Sequence, residues 1–139
     1  IYMNNDQARN AMLDYDAYYK AVNGQVNDLF YYYREQAALK ARQYQRALDD
    51  IVKAVELSPK DLTYRAEHAV VNLRVGRYEE SMKILNEILK DEPKYGEAYR
   101  LLGLCQIQLK KTDEACGNFN KAKELGDPNV DELIKKYCK

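Results

Sequence analysis

The stretch YRLLGLCQIQLKKTDEACGNFNKAKEL, residues 99–125, combines strong helix formers with small and large apolar residues at fixed places. These apolar positions recur twice earlier in the chain at a constant spacing (81 − 47 = 115 − 81 = 34). Small residues suit places where helices approach closely, and large apolar residues fill the gaps between helices. The constant period therefore indicates a repeated two-helix unit. The recurring sets are Ala47, Ser81 and Ala115; Ile51, Leu85 and Phe119; and Ala54, Ile88 and Ala122.

Capping signals divide the chain into eight predicted helices. Asn27 and Asp61 are favourable N-cap residues, as is Thr112 ahead of an acidic pair, and Asp127 before Pro128 predicts a further helix start. The glycines predicted to end helices in the left-handed conformation are Gly24, Gly76 and Gly126. The predicted helices span 5–22, 28–41, 44–57, 62–75, 78–90, 96–109, 112–125 and 129–138.

This pattern resembles the tetratricopeptide repeat family, whose signature positions are matched in residues 99–125. The resemblance implies an all-α fold in which helix pairs stack into a right-handed α-α superhelix, a solenoid. The family's glycine, present as Gly103, is Ala69 in the second copy and Glu35 in the first. Glu35 cannot lie flat against a neighbouring helix. We therefore expect the register of the helix that carries Glu35, the first helix of the first repeat, to shift by one residue. The matching residues are Tyr99, Leu102, Gly103, Ala115, Phe119 and Ala122.

The repeats predict one domain over 1–139, with three full units at 28–61, 62–95 and 96–128. Residues 5–26 look like the second helix of a preceding repeat, so we expect this end to be the cut edge of a longer array and to favour self-association. The last helix, 129–138, is predicted to be a cap. Its inward-facing residues are Val130, Leu133, Ile134 and Tyr137.

Charge and hydropathy argue against several classes of function. Lys plus Arg and Asp plus Glu number 22 each, so the net charge of zero gives no support for nucleic acid binding. No apolar run is long enough to cross a bilayer, and membrane insertion is not expected.

No catalytic, cofactor or metal site is predicted. His68 is the only histidine and has no partner at catalytic or metal-ligand spacing. Asp49 and Asp50 are adjacent, so their side chains diverge on a helix and do not form an acid–base pair. The sequence therefore argues against an enzyme.

The three cysteines differ in their expected roles. Cys105 lies among leucines and is expected to be buried and inert. Cys116 and Cys138 are equally distant from Asp127, at the turn of a predicted hairpin, so they would lie at the same height. A disulfide and two reduced, packed thiols both remain open. The C-terminal segments resemble those of exported bacterial repeat proteins, which favours the periplasm over the cytoplasm.

The family geometry implies that the first helix of each repeat lines a groove that binds a protein or peptide segment. Within Tyr31, Tyr32 and Tyr33, the middle residue would face the groove, Tyr31 its own repeat's second helix, and Tyr33 the preceding helix. The alternative function is a structural spacer within a longer array. The candidate groove residues are Tyr32, Gln36, Leu39, Lys40, Val70, Leu73, Arg74, Arg100, Leu104 and Gln108.

The groove composition favours an extended or helical segment with apolar side chains and some negative charge. It does not favour the acidic tails of heat-shock chaperones, which related domains hold with a clamp of Lys, Asn and Arg. Two of the matching residues are acidic and would repel a double carboxylate. The matching positions are Tyr32, Gln36, Glu67, Glu97 and Leu101.

Overall fold

The computed structural model describes residues 4–139, and all regular structure in that range is α-helical. The all-α prediction is therefore confirmed. No helix in the described range is long and apolar enough to span a membrane. The helices are α1 (Asn5–Ala21), α2 (Asp28–Lys40), α3 (Tyr44–Leu57), α4 (Leu62–Arg74), α5 (Tyr78–Asp91), α6 (Gly96–Gln108), α7 (Thr112–Glu124) and α8 (Asp131–Tyr137).

The helix starts follow the repeat. The first residues of α2, α4 and α6 are evenly spaced at the repeat period (62 − 28 = 96 − 62 = 34). The expected one-residue slip of α2 is therefore wrong, and the chain instead buries Glu35 in the position of the family's glycine. Asn27 and Asp61 accept hydrogen bonds from the backbone N–H groups of Phe30 and Tyr64, as N-cap residues do.

Two predicted N-cap residues are wrong. Thr112 is the first residue of α7 rather than its N-cap, because Lys111 occupies the cap position. α8 begins at Asp131 rather than after Asp127, because the Asp127 carboxylate accepts the Asn129 N–H and holds a turn there. The left-handed glycines are confirmed, with positive φ at Gly24, Gly76 and Gly126.

Internal contacts divide the chain into two compact units that meet between Val71 and Asn72, within α4. In the first unit α1 packs on α2 and α2 on α3. A guanidinium joins the three helices, since Arg34 on α2 binds both oxygens of Asp50 on α3 at 2.8 Å and lies 3.5 Å from Asp16 on α1. Arg46 on α3 binds the same Asp16 carboxylate. The buried apolar residues of this unit include Ala8, Met12, Ala38, Ala47, Ile51, Ala54 and Tyr64.

In the second unit α5 packs on α6, α6 on α7 and α7 on α8. Phe119 is fully buried and lies against Gly103, where a Cβ atom would stand only 2.4 Å from the ring. The glycine is therefore required by the close approach of α6 and α7. Val130 is buried in the same core, and the half-buried Leu133, Ile134 and Tyr137 pack against it, as predicted for the last helix.

Candidate peptide-binding face

The tyrosine triplet on α2 is divided among three environments. Tyr31 is buried in the core of the first unit, and its hydroxyl lies beside Tyr19 of α1. Tyr32 is half-buried, and its ring centroid lies 5.2 Å from that of Tyr64 on α4. Tyr33 is 50% exposed and lies towards α1, as predicted. Tyr32, the middle residue, thus contacts α4, which is the first helix of the next repeat.

Hydrogen bonds hold Tyr64 beneath Tyr32. The Tyr64 hydroxyl donates to Asp28 at 3.0 Å, and the Ser58 hydroxyl donates to the same carboxylate at 2.9 Å. These two hydrogen bonds lower the pKa of Asp28. Burial, followed by the hydrogen bond to Asp28, raises the pKa of Tyr64 to about 12, so this ring keeps its proton and its position.

A buried acid lies behind this face. Glu35 is fully buried, and neither carboxyl oxygen has a hydrogen-bond partner among the described residues. Burial, followed by the nearby carboxyl groups of Glu67 on α4 and Asp50 on α3, raises its pKa to about 11. Glu35 is therefore a neutral acid at pH 7, while the half-buried Glu67 stands next to it.

Five of the ten candidate groove residues lie in the first unit. Tyr32, Gln36 and Val70 are half-buried and Lys40 is exposed, and we refer to these four residues of α2 and α4 as the first-helix face. Leu39 does not belong to it, because its side chain packs into the hydrophobic core and is only 7% exposed. The assignment of Leu39 to an open groove is wrong.

The other five candidates lie in the second unit. Leu73 and Leu104 are half-buried, and Arg74 and Gln108 are exposed. Arg100 binds the carboxylate of Asp127, with Nε–O distances of 3.0 and 3.2 Å, and lies 3.6 Å from Glu97. Its positive charge is neutralised inside the unit, so the prediction of Arg100 as a ligand-binding cation is corrected.

A tyrosine-rich cleft of about 760 Å³, which the sequence did not predict, lies between α1 and α2. Tyr18 and Tyr33 are about half exposed and lie on its walls beside Leu29. The signal in the sequence is the density of aromatic residues on α1 and at the start of α2. A second cleft of about 440 Å³ shares the Tyr15, Tyr18 and Phe30 side chains with the first.

The cysteines occupy two settings in the second unit. Cys105 is buried, its thiol lies 3.4 Å from the Ser81 hydroxyl, and burial raises the pKa of the thiol. Cys116 on α7 and Cys138, which follows α8, form a disulfide with their Cα atoms 5.7 Å apart. Within residues 4–139, no cluster of three or more His, Cys, Asp or Glu side chains is arranged to hold a metal ion.

Two family models together match almost the whole described range of the chain. A family model described as "Anaphase-promoting complex, cyclosome, subunit 3" matches residues 4–88, and a model described as "Tetratricopeptide repeat" matches residues 67–130.

Curated relatives are larger proteins. Heat shock protein STI1 of Saccharomyces cerevisiae is 31% identical over 101 residues, which is 70% of this chain and 17% of that protein. Small glutamine-rich tetratricopeptide repeat-containing protein 2 of Mycosarcoma maydis is 29% identical over 71% of this chain and 28% of its own length. The chain thus spans less than a third of either relative.

Solved structures share the fold. YrrB, described as a TPR protein with an unusual peptide-binding site, aligns with a TM-score of 0.77 at 19% identity, covering 94% of this chain and 66% of YrrB. The first TPR of Spaghetti (RPAP3), bound to the HSP90 peptide SRMEEVD, aligns with a TM-score of 0.69 at 21% identity, covering 80% and 87% of the two chains.

Proposed function

This chain belongs to the tetratricopeptide repeat family, and from that premise we propose that it is a protein-interaction module that binds a segment of another protein on the first-helix face. The observation that carries the proposal is Tyr32. Its ring is fixed by Tyr64 and remains partly open, while Gln36 supplies a polar group and Lys40 is exposed on the same helix. A fixed, amphipathic ring loses little conformational entropy on binding.

The electrostatics of the face favour an apolar segment over an acidic tail. Glu67 lies at the centre of α4. Burial of Tyr32 raises the pKa of its hydroxyl, and the negative charge of the neighbouring Glu67 raises this pKa further. A ligand with two carboxylates would meet this acid rather than a cluster of cations. RPAP3 is bound to such an acidic peptide, and we propose that this chain differs from it in ligand chemistry.

A periplasmic or otherwise oxidising location is a second part of the proposal. Its support is the Cys116–Cys138 pair, because disulfides persist in oxidising compartments. Mass analysis of alkylated, non-reduced protein purified from its native compartment tests it. Three alkylated thiols would contradict this location, whereas one is expected.

We propose no catalytic role. TPR domains are generally scaffolds. The two side chains whose pKa values are raised most contribute to packing, since Tyr64 is held by a hydrogen bond to Asp28 and Glu35 is enclosed between helices. The alternative function is a structural spacer without its own ligand. It predicts that no peptide binds on the first-helix face.

The binding experiment uses a phage-displayed library of random dodecapeptides, selected against the full chain. Selected peptides are then titrated against wild type, Tyr32→Ala and, as the control, Tyr18→Ala, which alters an aromatic ring on a different surface. Loss of a central aromatic contact costs about 2 kcal/mol, so Tyr32→Ala is expected to weaken binding more than tenfold while Tyr18→Ala leaves it unchanged. Failure to select any binder, or equal affinity for Tyr32→Ala, would support the spacer.

A further inference from the structure

Five of the acidic side chains described in the first unit are buried or half-buried. Arginines pair with Asp16 and Asp50, and Asp28 accepts hydrogen bonds from two hydroxyl groups. The remaining two acids, Glu35 and Glu67, have no ion pair with a basic residue among the described residues. They lie next to each other where α2 meets α4. This part of the unit therefore holds acid without a compensating cation.

Glu67 borders the first-helix face. Val70 of that face follows it by three residues on α4, and residues three apart lie on the same side of a helix. Burial and then the charge of Glu67 raise the pKa of Tyr32, because the carboxylate is close to the hydroxyl. The Tyr32 ring itself contacts Tyr64 of α4, with the ring centroids 5.2 Å apart. A segment bound on the first-helix face would thus cover Glu67.

The two neighbouring acids carry one negative charge between them. Glu35 is fully buried, and its pKa of about 11 keeps it protonated at pH 7. Glu67 is only half-buried, so the charge of the pair lies on Glu67, where water can solvate it. A ligand that displaces this water without bringing a cation leaves a carboxylate unpaired, which is unfavourable.

The acid pair is a feature of one place in the array and is not required by the repeat. The position of Glu35 is occupied by Ala69 in the second repeat and Gly103 in the third (69 − 35 = 103 − 69 = 34). The position of Glu67 is occupied by Leu101 in the third repeat (101 − 67 = 34). Acids at both positions therefore give the surface between α2 and α4 a charge that the repeat pattern alone does not supply.

We propose that Glu67 makes the first-helix face select a segment of a partner protein that carries a lysine or arginine next to an apolar residue. The basic side chain pairs with Glu67, and the apolar side chain packs on Tyr32 and Val70. This inference rests on the proposed function and specifies the chemistry of its ligand. An acidic segment would be repelled by Glu67, and a wholly apolar segment would leave that carboxylate unpaired. Because Glu35 is neutral, one basic residue is sufficient.

The test uses the dodecapeptides that are selected against the full chain and lose affinity in Tyr32→Ala. We expect these peptides to contain lysine or arginine. In each peptide the basic residue is replaced by methionine, which keeps a long side chain without its charge, and both forms are titrated by fluorescence anisotropy. The methionine form is expected to bind wild type about tenfold more weakly, because a hydrogen bond between charged groups is lost.

A double-mutant cycle assigns this loss to Glu67. In Glu67→Gln the two peptide forms are expected to bind with equal affinity, because the amide has no charge. Glu56→Gln, which removes an exposed acid of α3, is expected to keep the tenfold difference. Glu35→Gln is also expected to keep it, because an amide then replaces a neutral acid. Should Glu67→Gln fail to fold, a glutamate form of the peptide tests the same charge on wild type, where it is expected to bind more weakly than the methionine form.

Two results would overturn the inference while leaving the proposed function in place. One is a Tyr32-dependent peptide that binds equally well in its basic and methionine forms, and the other is an unchanged tenfold difference in Glu67→Gln. The absence of any Tyr32-dependent peptide would instead reject binding on the first-helix face, and this inference with it.

Discussion

At the scale of single residues, the buried Glu35 makes the free energy of unfolding depend on pH. The unfolded chain releases the Glu35 proton near its ordinary pKa of 4.5, whereas burial raises the pKa in the folded chain to about 11. Between these values folding takes up a proton, so the contribution of Glu35 to stability falls as pH rises, by at most about 1.4 kcal/mol per pH unit.

Glu35→Gln removes this proton uptake while keeping the size of the side chain. We expect its free energy of unfolding to exceed that of wild type by a margin that grows steadily from pH 5 to pH 8. Urea unfolding at four pH values measures the margin. Glu56→Gln, at a side chain 58% exposed, serves as the control and is expected to show no such trend. A constant margin for Glu35→Gln would mean that Glu35 is ionised in the folded chain.

Two glycines give opposite predictions for the same substitution. Gly103→Ala places a Cβ atom 2.4 Å from the Phe119 ring, so we expect a loss of about 1–3 kcal/mol from overpacking. Gly117→Ala, in α7 with no neighbour within 4 Å of the added Cβ, is expected to gain about 0.5–1 kcal/mol from helix propensity. Thermal unfolding of both variants measures the contrast, and a stable Gly103→Ala would show that α6 and α7 separate easily.

At the scale of the elements, the Arg34 ion pair joins the helices of the first unit. Asp50 has only 6% of its side chain exposed, so Arg34→Met leaves a buried carboxylate without its partner. We expect a loss of about 3–5 kcal/mol in urea unfolding. The double variant Arg34→Met with Asp50→Leu removes both charges and is expected to recover most of that loss. If the double variant is as unstable as the single one, packing around Arg34 matters rather than charge.

The short helix α8 depends on its covalent tether. It has seven residues, fewer than an isolated helix needs, and contains no fully buried side chain. The Cys116–Cys138 bond joins residues 22 positions apart, and closing such a loop is worth about 3 kcal/mol. Cys138→Ser is therefore expected to lower stability by about that amount and to speed amide exchange in α8, compared with Cys105→Ser. Unchanged exchange would show that Val130 alone anchors the helix.

At the scale of the whole molecule, stability in a repeat protein is a sum of local and nearest-neighbour terms. Gly103→Ala is accordingly expected to raise amide exchange in α6, α7 and α8 more than in α1, α2 and α3. Arg34→Met should show the reverse distribution. Hydrogen exchange measured by mass spectrometry on both variants tests this, and uniform exchange across the chain would indicate a single cooperative fold.

The sequence by itself determined the helix content, the repeat period and the cores, because small and large apolar residues must recur wherever similar helices pack. It also indicated that the three tyrosines of the triplet lie in three different environments. Tertiary structure decided which polar groups were already paired. Arg100 is neutralised by Asp127, a residue 27 positions away, and Leu39 is drawn into the core.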